Sequence, residues 1–148
     1  MTTYIQNKKV NLNYEMLKEY EAGISLLGTE VKAVRSKLGK LDGSHVVIRG
    51  KEAFLVGASI SAFQKANAPD DFDPERTRKL LLSKKQLFEL ERDGEKAGLT
   101  IVPIALYNSG QKLKLKIALA RGKKKHDKRE TLKARDTKRE IERALKQQ

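Results

Sequence analysis

TIVPIALYNSGQKLKLKIAL, residues 100–119, decides what kind of fold this chain can adopt. Leu113, Leu115, Ile117 and Leu119 share one parity, and Lys112, Lys114 and Lys116 the other. Apolar residues with a period of two line one face of a strand, so this strand buries one side and leaves a wet, cationic one. TIVPIALY (100–107) reads as its antiparallel partner, with Asn108, Ser109 and Gly110 as a three-residue connection in which Gly110 takes the left-handed conformation. Pro103 cannot donate to a ladder, which places its strand at an edge or gives it a bulge.

Outward from that hairpin the pattern repeats. HVVIR (45–49) and EAFLVGASI (52–60) flank Gly50-Lys51, which reads as a type II′ turn, and YEAGISLL (20–27) reads as an earlier strand. Two helices separate them. Thr29 can cap EVKAVRSKL, with Val31, Val34 and Leu38 on one face and Gly39 as the stop. Ser83 and Gln86 form a capping box for KKQLFELERDGEKA, which Gly98 closes, while Gly94 weakens the last turn. About five short strands with two to three short helices make an α+β, mainly β, fold. A small OB-like antiparallel barrel is the expected solution, with a sandwich as the alternative.

The chain has 148 residues and a formal net charge of +13. From Arg121 to Gln148 stand 12 Lys/Arg against 5 Asp/Glu, so more than half of that excess sits in the last 28 residues. The same segment holds only Leu132, Ala134, Ile141, Ala144 and Leu145 as apolar residues. Residues 1–120 can therefore build a core and residues 121–148 cannot. The tail is rich in helix formers but polar nearly all round, so it is expected to be unstructured when free and helical against an anionic partner. So large a positive balance favours nucleic acid, because each neutralised phosphate releases condensed counterions. No apolar run approaches the length of a bilayer span, and no signal peptide precedes the body, so a cytoplasmic monomer without membrane contact is expected.

Zero cysteines exclude disulfides, thiolate metal sites and thiol catalysis. His45 and His126 lie far apart; His45 reads as a residue on the barrel rim. LGKL (38–41) lacks the glycine and the hydroxyl residue of a phosphate loop, and Asp70, Asp71 and Asp73 read as a solvated loop before a magnesium site. Neither metal nor cofactor is expected, and the chain reads as a binding protein, not an enzyme. Four Phe and four Tyr form no row of stacking platforms, which argues against a single-strand binder. Phosphate contact by Lys and Arg suits a folded RNA recognised by shape.

Longer strings go beyond chemistry. NKK (7–9), YEAGISLLGTEVKAVR (20–35), DPERTRKLLL (73–82), the strand pair 99–119, ARGKKKHDKRET (120–131) and KREIERAL (138–145) together resemble the SsrA-binding, or small protein B, family. The family often has an aromatic after the tyrosine at position 14, where Glu15-Met16 stands here. The resemblance implies an OB-type barrel that binds the tRNA-like domain of transfer-messenger RNA (tmRNA). It implies delivery of that RNA to the A site of stalled ribosomes, with a tail that becomes helical in the empty mRNA channel and permits tagging of the nascent chain. It allots RNA contact to Asn7, Lys8, Lys9, Glu21, Leu81, Arg121, Lys123 and Lys124. His126, Asp127, Lys128 and Arg129 fall at the ribosomal decoding centre. Glu21, repelled by phosphate, makes sense as an acceptor for a guanine N–H or a 2′-OH, although by itself it reads as a surface carboxylate beside a strand. Leu81 would cover an exposed base, although LLL (80–82) by itself reads as core. The rival functions are a basic ribosomal or ribosome-assembly protein and an RNA-acting enzyme on the same barrel.

Overall fold

The computed structural model of the chain describes residues 2–61 and 72–146, without the side chains of 125–127, 131 and 146. Seven strands occur in chain order with four helices: β1 Thr3–Gln6, α1 Val10–Asn13, β2 Tyr14–Ile24, α2 Gly28–Arg35, β3 His45–Arg49, β4 Glu52–Val56, β5 Arg78–Leu81, α3 Lys84–Gly94, β6 Leu99–Ser109, β7 Lys112–Gly122 and α4 Lys125–Lys146. Every pairing is antiparallel, in the order β1-β6-β3-β4-β5-β2-β7, and β7 returns to β6. The result is a ring-like sheet with few helices, the α+β, mainly β, architecture expected from the run of short strands. β1 lies outside the ring, paired with the second half of β6 alone.

Leu115 and Ile117 of β7 point inward among Ala22, Leu55, Leu80 and Leu106, all solvent-inaccessible or nearly so. Leu90 of α3 and Val34 of α2 join the same core. A second, smaller cluster sits outside the ring, where Val10 of α1 covers Val102 and Ala120, with Tyr14 and Met16 against it. Met16 thus helps to fill this outer cluster.

Several local expectations change. β2 starts at Tyr14, not Tyr20, and pairs with β7 from Tyr14↔Gly122 to Gly23↔Lys114. Its first half hid in the sequence because Glu15, Lys18 and Glu19 are exposed and only Tyr14 and Met16 are covered. The β6–β7 connection is two residues: Ser109 pairs with Lys112, and Gly110 alone takes positive φ (63°), as a type II′ turn requires. The β3–β4 turn has positive φ at both Gly50 and Lys51, so it is type I′, not II′. β4 ends at Val56, short of the expected Ile60. Pro103 is accommodated by the bulge between Pro103 and Ala105.

α2 is capped differently from the Thr29 expectation: Leu27 precedes it, and Glu30 Oε1 accepts the Leu27 N–H at 2.8 Å. It stops at Lys37 rather than Gly39. Leu38 N donates to Ala33 O and Lys37 N to Val34 O, the paired bonds of a Schellman ending, with Lys37 at φ 61°. Glycine is the usual residue there; a side chain in that conformation costs about 1 kcal/mol. The Ser83–Gln86 capping box of α3 forms in both directions, at 3.2 and 3.1 Å, but the helix ends at Gly94, before Gly98.

One buried ionic cluster ties these elements together. Glu30 and Arg78 are both solvent-inaccessible. Arg78 gives Nε and Nη2 to Glu30 Oε2 at 3.0 and 2.5 Å, Nη1 to Ala58 O at 2.8 Å and Nη2 to Pro74 O at 2.9 Å. Arg76 forks onto the same carboxylate. Burial alone would raise the Glu30 carboxyl, yet hydrogen bonds from Arg76, the Leu27 N–H and Arg78 outweigh it and hold the group below its ordinary value.

Candidate nucleic-acid interface

The outward parity of β2 is Glu19, Glu21 and Gly23, since Tyr20 and Ala22 are buried. On one side Gly23 faces Leu81 of β5; on the other Gly23 faces Lys114 and Glu21 faces Lys116. A Cβ at Gly23 would lie 3.1 Å from the Leu81 Cβ, so glycine lets Leu81 lie close over β2. Leu81 is 57% exposed, which overturns the core reading, while its neighbour Leu80 is buried. Glu21 and Leu81 therefore share one outer surface, bordered on the β7 side by Lys114 and Lys116.

Glu21 does not stand alone there. The Tyr107 hydroxyl, buried in β6 and 2.7 Å away, donates to Glu21 Oε2. Burial and this carboxylate push the phenol well above its ordinary value, so Tyr107 keeps its proton and holds one Glu21 oxygen in place. Reading from sequence missed Tyr107. Its signal was its parity, opposite to the inward Leu106.

Asn7 is nearly buried. It is committed to the β6 bulge: its N–H donates to Ile104 O at 2.8 Å and its Nδ2 to Pro103 O at 3.0 Å. Lys8 and Lys9 beside it are exposed. Through Glu21↔Lys116↔Ala105↔Gln6 this segment lies three strand spacings from Glu21, about 14 Å.

The tail residues divide. Asn7, Lys9, His45, Lys123 and Lys128 line one cleft of about 450 Å³ between α1, the start of β3 and the start of α4. Lys123 Nζ donates to Asn11 O at 2.7 Å, and Arg135 donates to Lys8 O at 3.2 Å, so the tail meets the body at the 7–11 segment. Arg121 stands 3.8 Å from Glu15, both well exposed. Lys124 and Arg129 are exposed. His126 and Asp127 fall in the first turns of α4, and their side chains lie outside the described residues. So do Asp70 and Asp71; Asp73 accepts the Glu75 N–H in a local turn. Among the described residues no group of three or more His, Asp or Glu could hold a metal ion, and no helix is long and apolar enough to cross a membrane.

The model of one protein family, described as SmpB protein, matches residues 4–147. This chain belongs to the SmpB family. It is 47% identical to the SsrA-binding protein of Mesoplasma florum over 140 residues, 95% of this chain and 94% of that one. It is 46% identical to the SsrA-binding protein of Gloeobacter violaceus over 142 residues, 96% and 93%. A solved SmpB chain, described with the words "tmRNA-SmpB: a journey to the center of the bacterial ribosome", superposes with a TM-score of 0.67 at 38% identity. That match covers 88% of this chain and 95% of the other. SmpB membership thus extends over both the ring-like sheet and the basic helix that follows it.

Proposed function

We propose that the chain is a non-enzymatic adaptor of trans-translation, acting as a monomer in the cytoplasm. Residues 1–120 bind the tRNA-like domain of tmRNA, and residues 121–148 engage the decoding centre and the vacant mRNA channel of a stalled ribosome. The family's members are named for binding SsrA RNA, and the solved neighbour is described with tmRNA and the bacterial ribosome. The observation that carries the reading is the outer surface of β5, β2 and β7. There an oriented carboxylate (Glu21) and an uncovered apolar side chain (Leu81) share a face with Lys114 and Lys116 of β7. A phosphate-only surface has no use for a held carboxylate, whereas RNA offers base N–H and 2′-OH donors to it.

The tail fits a partner of another kind. No described side chain of α4 is buried, and Leu132, Ile141 and Leu145 are 46%, 56% and 65% exposed. Such a helix gains little from its own body and is expected to take its order from an anionic wall. The test is removal of residues 125–148, which leaves β7, Lys123 and Lys124 in place. Binding to the tRNA-like domain should stay within about twofold, and tagging of nascent chains should be abolished. Wholesale loss of RNA affinity contradicts the division of labour. Stable co-sedimentation of the full chain with vacant subunits, independent of tmRNA, would instead make it a ribosomal component.

A further inference from the structure

On the far side of β1 from the surface just described lies a groove of about 540 Å³, between that strand and the 37–42 segment. Lys8, Lys37 and Lys40 line it, with Asp42 as its one acidic member. All three lysines are exposed, and among the described residues none of them makes an ion pair. The 37–42 segment is pinned rather than loose. Lys40 and Ser59 exchange backbone hydrogen bonds at 2.8 and 3.0 Å, and a Cβ on Gly39 would meet Ile5 Cδ1 at 2.8 Å and Ser59 O at 3.1 Å. The groove wall is therefore preformed.

Lys37 adds an independent observation. It occupies the left-handed stop of α2, where glycine would relieve the backbone and where, among the described residues, its side chain makes no ion pair to offset the strain. Strain held at an exposed cation points to use of that cation.

We propose that this groove seats a stretch of the sugar-phosphate backbone of the same tRNA-like RNA, with Lys37 and Lys40 as phosphate contacts that extend the interface from Lys8. It rests on the function proposed above and adds to it residues that the family resemblance does not supply.

Lys37→Gly is the discriminating variant, because strain and charge move its two readouts in opposite directions. The melting temperature should rise by about 2–4 °C or hold. Affinity for the tRNA-like domain should fall about 3- to 10-fold, and the log–log salt dependence should become shallower by roughly 0.7–0.9. Lys40→Gln should lower affinity similarly without raising the melting temperature. Lys51→Gly is the control: Lys51 is also left-handed, at φ 63°, but sits at the β3–β4 turn beside Phe88. It should match the stabilisation and leave RNA binding unchanged.

A stabilised Lys37→Gly protein that binds the tRNA-like domain as tightly as the parent overturns the proposal. So does an equal loss of affinity for Lys51→Gly, which would reduce the effect to net charge. Aggregation of the Lys37 and Lys40 variants with undiminished affinity would make the lysines guards of an open strand edge. A loss seen only on ribosomes would move the ligand to rRNA and also refute the groove as written. If the parent protein itself binds the tRNA-like domain no better than linear RNA of the same length, the function fails first, and the groove with it.

Discussion

Arg78 and Arg139 are the same side chain put to opposite uses. Arg78 has no exposed surface, and its guanidinium is spent on Glu30 and on backbone carbonyls. Arg139 lies exposed in α4, a helix with no buried described side chain. The formal charge of the chain counts both equally, yet only the second kind is available to a polyanion. Cations in this protein thus divide by whether the fold has already supplied their counter-charge.

The sharpest way to break that division is Glu30→Ala, which leaves Arg78 buried without its carboxylate. A loss of about 3–5 kcal/mol is expected, a large part of the stability of a domain this size, read from urea unfolding. The matching Arg139→Ala protein should unfold at the same urea concentration as the parent. If both changes cost the same, the contrast is empty.

Acid should act on the same cluster. The Glu30 pKa is lower in the folded protein than in the unfolded chain, so its contribution is complete above the unfolded value of about 4.3 and fades as pH drops through the folded one. Melting temperature against pH should therefore fall below about pH 4.5, less steeply in Glu30→Gln. Identical profiles would remove Glu30 from the explanation. Amide exchange probes the two regions directly: residues 115–119 of β7 should be protected by orders of magnitude more than 132–145 of α4. Equal protection would show that the tail is ordered by its own body well beyond the Arg135–Lys8 bond.

The smallest expected effect concerns the outer surface. Tyr107→Phe removes the bond to Glu21 at about 1 kcal/mol of stability. It should lower the preference for the tRNA-like domain over unrelated RNA, while non-specific affinity stays level. Unchanged preference would mean that the carboxylate needs no holding.

Where alternation was strong, the elements were legible in the sequence: Leu113 to Leu119 announced β7, and Ser83 with Gln86 announced α3. Legibility failed where tertiary partners decided. The first half of β2 carries too little apolar pattern to be seen without β7 beside it and α1 over its outer side. The left-handed stop of α2 falls on Lys37 because Gly39 is already packed against Ile5 and the Ser59 carbonyl, a contact that no local signal records. The site was half visible. Glu21 and Leu81 could be named through resemblance, but LLL gave no hint of which leucine faces outward. The Glu30–Arg76–Arg78 cluster spans nearly 50 positions, and no local spacing records such a contact. Asn7 looked like a contact to ligand, and its amide turns out to serve the Pro103 bulge.

Only Lys123 and Lys124 separate the end of β7 from the start of α4. Lys123 N is itself bonded to Asn13 O at 2.8 Å, so the joint is short and held. The 22 residues of α4 span about 33 Å when helical. A rigid origin and a fixed rise make the tail a ruler, whose tip is set by residue number alone. Inserting one residue in the first turn of α4 would swing every later tail side chain by about 100° and push it 1.5 Å outward, re-aiming every cation without altering a single charge.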